Sequence, residues 1–202
     1  MTAEDVARFE RALAGGGVGL FPADTVYGLA ADAESEAGVR RLYEIKGRPQ
    51  DRPAAVMFFD PEAAFAALEG LGPRTRRALA AMLPGPVTAV IPNPRRLYPL
   101  ACGPAPDRLG IRIPGLGPGL EPLVAIRRPV LQSSANPSGG ADPRRLADVD
   151  PAVRSGADAE LDGGDLPGTP STVVELTAYE ADGEYRVLRE GAVPAAVLSE
   201  LI

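Results

Sequence analysis

The apolar residues of this chain come in short runs of strand length, and none approaches the ~20 residues of a membrane span. Val18 to Phe21, Ala54 to Phe59, Val87 to Ile91, Leu109 to Ile113, Pro129 to Ser133, Ser171 to Leu176 and Tyr185 to Arg189 each read as a strand. Helical signals lie between some of them. Thr2, three residues before Asp5, starts a capping box for a helix to about Leu13, which Gly15-Gly16-Gly17 stops. Ser35 caps a second helix that passes Leu42 and Ile45 and ends before Pro49. Asp60-Pro61 opens a third over 61–69, and others are predicted over 73–82, near 119–127, from Asp142-Pro143, and from Pro194 to Leu201. Pro22 to Ala33 reads as a loop of small residues, and Gly163, Gly164 and Gly168 mark a flexible one. Several strands follow one another without a full helix between them. The pattern predicts a single α/β domain over 1–202, with a mixed sheet.

Absences narrow the chemistry. The chain has no His, which excludes a His general base, a Ser-His-Asp triad and a His metal ligand. Its one Cys, Cys102, excludes an internal disulfide and a Cys-rich zinc site, and reads as a small apolar residue. The start, Met1-Thr2-Ala3-Glu4-Asp5, has neither a basic nor an apolar leader region, so the expectation is a soluble cytoplasmic protein. A net charge of −6 argues against a dedicated nucleic-acid binder. The cations are 20 Arg and a single Lys, Lys46, which reads either as a chance exception to that bias or as a place that needs a compact ammonium rather than a planar fork.

Four groups of residues carry candidate chemistry. Lys46-Gly47-Arg48-Pro49 puts two cations on a turn leaving a helix, where they either converge on an anion or serve the helix C-terminus. Ser133-Ser134-Ala135-Asn136, followed by Pro137-Ser138-Gly139, lies after an apolar strand and reads as a phosphate cradle or as a plain polar turn. Asp24-Thr25-Val26-Tyr27-Gly28 follows another strand, with Thr25 available to a small polar ligand and Tyr27 available as a pocket wall. Arg112 sits inside an apolar strand, where it requires a partner or an open face shared with Gly110. Arg189 ends a later strand. No Walker A pattern is present, because Gly15 to Gly19 lacks the Lys-Ser/Thr and precedes a strand.

The order of these blocks resembles the YrdC-like family, in its short TsaC-type form, the L-threonylcarbamoyladenylate synthases. The resemblance runs from about Gly17 to Val193. It rests on Pro22 to Leu29, Lys46-Gly47-Arg48-Pro49, Leu83 to Thr88, Ile111-Arg112-Ile113-Pro114, Ser134 to Gly139, Ser171 to Leu176, and Leu188 to Ala192. The resemblance implies a twisted mixed sheet flanked by helices, with a concave basic cleft. It implies that L-threonine, bicarbonate and ATP form threonylcarbamoyl-AMP and pyrophosphate, for transfer by downstream threonylcarbamoyl transferase machinery to adenosine 37 of tRNA. It assigns Thr25, Arg112 and Ser171 to threonine. Lys46, Arg48, Ser134, Asn136 and Arg189 go to ATP and the developing charge, with Arg52 assisting. Mg²⁺ is implied on the phosphates, held by ATP and water rather than by the protein. Arg52, Arg108, Asp142 and Glu190 depart from the family pattern, as do Ala23 and Leu83. No membrane partner is expected, and the cleft is open to tRNA or double-stranded RNA. The alternatives are a carbamoyl-adenylate-handling enzyme, known in longer chains with acylphosphatase and zinc-finger modules, and an RNA-binding module.

Overall fold

The computed structural model describes all 202 residues. Helix α1 (Ala3–Ala14) starts at the predicted capping box, with Thr2 and Asp5 bonded reciprocally. It buries Val6, Phe9 and Leu13 against the first strand. Gly19 is what permits the contact, since a β-carbon there would lie 2.1 Å from the Phe9 ring. Helix α2 (Glu36–Lys46) is capped by Ser35 and ends at Gly47, whose φ of 58° is the left-handed conformation that glycine adopts without cost. Helices α3 (Pro61–Ala67) and α4 (Pro73–Met82) follow as predicted, and α5 (Pro99–Cys102) is a single turn inside the Pro-rich segment.

Nine strands form one mixed sheet. They are β1 (Gly19–Pro22), β2 (Tyr27–Asp32), β3 (Ala55–Met57), β4 (Val87–Pro92), β5 (Arg108–Arg112), β6 (Val130–Ser134), β7 (Ala159–Glu160), β8 (Thr172–Glu175) and β9 (Arg186–Arg189). Their order is β7-β1-β2-β6-β3-β5-β4-β8-β9. The pairs β1/β7, β3/β5 and β4/β8 are parallel and the others antiparallel. One contiguous cluster of buried apolar side chains joins the sheet to the helices.

Two sequence expectations are corrected here. Residues 22–33 are not all loop, because β2 occupies half of them. Its Tyr-Gly-Leu-Ala-Ala stretch has weak strand propensity, and pairing with β1 on one side and β6 on the other overrides it. Asp142-Pro143 opens no helix. The Pro143 carbonyl instead accepts a bond of 2.9 Å from the Tyr27 amide. The next α-helix, α6 (Pro151–Ser155), begins at a second Asp-Pro pair further on, where Asp150 caps Ala152. The segment near 119–127 is a short 3-10 helix, Glu121–Ala125.

Candidate functional site

Strand register builds the floor of a cleft. Gln132 faces Ala55, Ala55 faces Gly110, Gly110 faces Val90, and Val90 faces Glu175. These five residues, on five neighbouring strands, all line one cavity of about 450 Å³. That volume is within the range of small-molecule sites. Its centre is flat because the central side chains are absent or small. Ala101, Cys102 and Ala105 wall one end. Four arginines (48, 108, 112 and 189) and two acidic residues (Asp142 and Glu175) also line it.

Arg112 is 3% exposed and lines the cavity, paired with Asp24, so the reading that it requires a partner holds and the face it shares with Gly110 opens on the cavity rather than on bulk solvent. Its Nη2 donates to Asp24 Oδ1 and, at 2.6 Å, to Thr25 Oγ1. Asp24 is fixed from its other side by the Gly115 amide at 2.9 Å. Burial lowers the Arg112 pKa from its ordinary value, and the Asp24 carboxylate opposes that shift. Arg112 Nε is buried without a partner. Thr25, spending its oxygen as an acceptor, keeps its own proton to donate.

A second hydroxyl is arranged in the same way. Arg189 Nη2 donates to the Ser171 carbonyl at 2.8 Å and to its Oγ at 3.3 Å. Ser171 Oγ also lies 2.9 Å from Thr88 Oγ1. Thr88 pairs with Val173, which pairs with Arg189, so strand register places these groups side by side. On the far side, Arg108 donates to Glu175 at 2.8 Å, and Arg186 lies 3.6 Å from the same carboxylate.

The Lys46 wall is built differently. The ammonium donates to the Ser134 carbonyl, to the Asn136 carbonyl at 2.6 Å and to Asn136 Oδ1 at 3.0 Å. Ser134 Oγ donates to the same Oδ1 at 2.7 Å, and Asn136 Nδ2 donates to the Gly140 carbonyl and to Asp142. Burial, helped by Arg48, lowers the Lys46 pKa to about 8, and Asp142 opposes it. Lys46 and Asn136 sit behind the cavity lining, while Ser134 and Arg48 form part of it. The amides of Ala135, Asn136, Ser138 and Gly140 are all bonded within the protein and the Ser134 hydroxyl proton goes to Asn136 Oδ1, so this loop presents Ser134 to the cavity as an oxygen and not as a free donor. Arg48 donates to the Pro53 carbonyl at 2.7 Å and lies over the Tyr43 ring. Thr25 lies next to the lining residue Val26, and Arg52 is exposed and outside the lining. Tyr27 is turned away from the cavity: its hydroxyl, raised by burial to about 12, bonds Asp162 and Gly164 and pins the glycine loop.

The sequence reading passed over Thr88, Glu175, Gln132 and Asp24. Thr88, Asp24, Glu175 and Gln132 all stand inside strands or blocks already singled out, but nothing in one sequence marks them as facing a cavity. Register is the missing information.

A mixed open sheet whose strands together floor a small-molecule cleft defines an α/β protein with its site on the sheet face. The sequence profile of the Sua5/YciO/YrdC family, described as telomere recombination, matches residues 11–191, and the chain belongs to that family. Threonylcarbamoyl-AMP synthase of Pyrococcus abyssi is 33% identical over 187 residues, which are 90% of this chain and 52% of that protein. This chain thus spans about half the length of that relative. Threonylcarbamoyl-AMP synthase of Hahella chejuensis is 31% identical over 163 residues, covering 81% of this chain and 88% of the relative. Among solved structures, P. abyssi Sua5 in complex with L-threonine has a TM-score of 0.81 at 27% identity, covering 99% of this chain and 56% of that one. E. coli YciO, at 21% identity and TM-score 0.81 over 98% of this chain and 94% of that one, shares the fold.

Proposed function

We propose that this chain is an L-threonylcarbamoyl-AMP synthase. The carrying observation is the pair of hydroxyls, Ser171 in the lining of a flat cleft and Thr25 directly behind that lining, each accepting from an arginine that lines the cleft. Such hydroxyls present protons to a carboxylate while the guanidiniums balance its charge. The P. abyssi relative, solved with L-threonine, supports reading that carboxylate as threonine's.

In this reading Thr25, Arg112 and Ser171 hold threonine. Its amine and bicarbonate form a carbamate with loss of water. A carbamate oxygen attacks the α-phosphorus of ATP, the bond to the bridging oxygen breaks, and pyrophosphate leaves. Arg48 and Arg189 meet the nucleotide charge, and Lys46 and Asn136 hold the Ser134 loop in place beside it. Ser134 reaches the nucleotide only if its proton turns from Asn136 to the phosphates, and Arg52 assists from the cleft mouth. A reaction of this type requires positioning and charge stabilisation more than a protein base, which suits a chain without histidine. Mg²⁺ would arrive on the nucleotide phosphates, with water completing its shell. The product would pass to a threonylcarbamoyl transferase acting on tRNA. No helix is long and apolar enough to cross a membrane, and a cytoplasmic setting follows from the proposed role.

Pyrophosphate release measured with each substrate omitted in turn tests the proposal. Release that requires both threonine and bicarbonate is the expected result. Release without threonine would favour a carbamoyl-adenylate-handling enzyme. No release, with RNA bound instead, would leave a binding module.

A further inference from the structure

Thr88 has no assigned role, yet it lines the cavity, is 6% exposed, and is bonded at its hydroxyl only to Ser171. Two hydroxyls bonded to each other use one proton between them and keep one. Which group keeps it depends on the other partners. Ser171 Oγ already receives a proton from Arg189 at 3.3 Å. No such donor reaches Thr88. An anionic ligand beside Ser171 would accept the Ser171 proton, and the Thr88 proton would then complete the Ser171 oxygen.

We infer that Thr88 is a positioning residue for the ligand carboxylate: it donates to Ser171 Oγ and thereby turns the Ser171 proton toward the cavity. The inference rests on the proposed placement of threonine at Ser171. Strand register makes the arrangement rigid. Thr88 lies within β4, between the sheet partners β5 and β8, and Ser171 immediately precedes β8. Thr88 is held by the sheet on both sides, and Ser171 is held beside it by the start of β8 and by the Arg189 bond to its carbonyl. A hydrogen-bonded pair also polarises its outer proton, strengthening the bond to an anion.

Titration calorimetry with L-threonine and with ATP, on the full chain, tests this. Thr88→Val keeps the branched shape and removes the hydroxyl. It should weaken threonine binding by roughly two- to tenfold, the range for one hydrogen bond, and change ATP binding by less than about twofold. Thr88→Ser should restore binding. Ser171→Ala should weaken threonine at least as much, and adding Thr88→Val to it should cost nothing further. A thermal midpoint measured for each variant separates misfolding from lost positioning, and the Thr88→Ser rescue carries the test if Thr88→Val is unstable. If Ser171→Ala weakens threonine and Thr88→Val does not, the inference is overturned while the placement of threonine stands. Additive losses in the double variant would also overturn it. If Ser171→Ala leaves threonine unaffected, the placement itself fails, and the inference fails with it.

Discussion

The two sides of the cleft use their cations in opposite ways. Around Lys46 every donor of the ammonium meets a protein oxygen, and the cation stabilises a loop. Around Arg112 and Arg189 the guanidiniums hold hydroxyls that retain a proton for something else. One side is closed on itself and the other is left open. A cation's value to a ligand therefore lies in what its partners have left to give, and burial alone does not reveal it. Lys46 and Arg112 are each 3% exposed.

The largest test of this contrast is Lys46→Ala. It removes the donor from three acceptors, of which the Ser134 carbonyl and Asn136 Oδ1 keep another partner and the Asn136 carbonyl is orphaned, at a cost of about 1–3 kcal/mol. Stability in chemical denaturation should drop by about 1–3 kcal/mol, and turnover by at least about tenfold. Lys46→Arg should rescue little, because a planar fork does not match three oxygens converging on one point. Turnover should also fall along an alkaline limb near pH 8, since the neutral amine has two N–H donors for three acceptors. This group's contribution to stability moves the other way. It rises between about pH 8 and 10.5, because there the unfolded chain holds the proton more firmly than the folded one. Full stability and turnover in Lys46→Ala would erase the difference between the two sides.

On the open side, Arg189→Ala should show the reverse signature. The residue is exposed on an edge strand, so stability should change by less than about 1 kcal/mol. Loss of its contact to Ser171 and to ligand charge should lower kcat/KM by about tenfold or more. A stability loss matching that of Lys46→Ala would show that both sides are structural.

The smallest effect is expected at Arg52. Its backbone carbonyl accepts from the Tyr43 hydroxyl at 2.6 Å, which fixes the chain while the side chain stays in solvent. Arg52→Ala should raise a Michaelis constant by a few-fold with little change in maximal rate, and Arg52→Lys should keep most activity. Unchanged constants for threonine and ATP would remove Arg52 from the site.

Much of the fold was readable because local signals and tertiary structure agree. The capping box at Thr2, the Ser35 cap and the Gly47 stop each lie where the helix boundaries fall. β2 was not readable, since its small residues become a strand only between β1 and β6. The charged blocks of the site were visible, but not their division of labour. Nothing in Lys46-Gly47-Arg48 tells that the first cation turns inward and the second lines the cavity. Glu175 belongs to the Ser171–Leu176 block, but nothing in the sequence tells that it pairs with Arg108 and Arg186.

The sheet order also has a kinetic meaning. The bonds that assemble the site join residues 83, 87 and 88 positions apart, from Thr88 to Ser171, Thr25 to Arg112 and Lys46 to Ser134. Contacts between such distant segments must await the closing of long loops, which slows their formation relative to helices such as α1 and α2. A refolding chain will therefore regain helical signal before it regains a cleft, and ligand binding will be among the last properties to return.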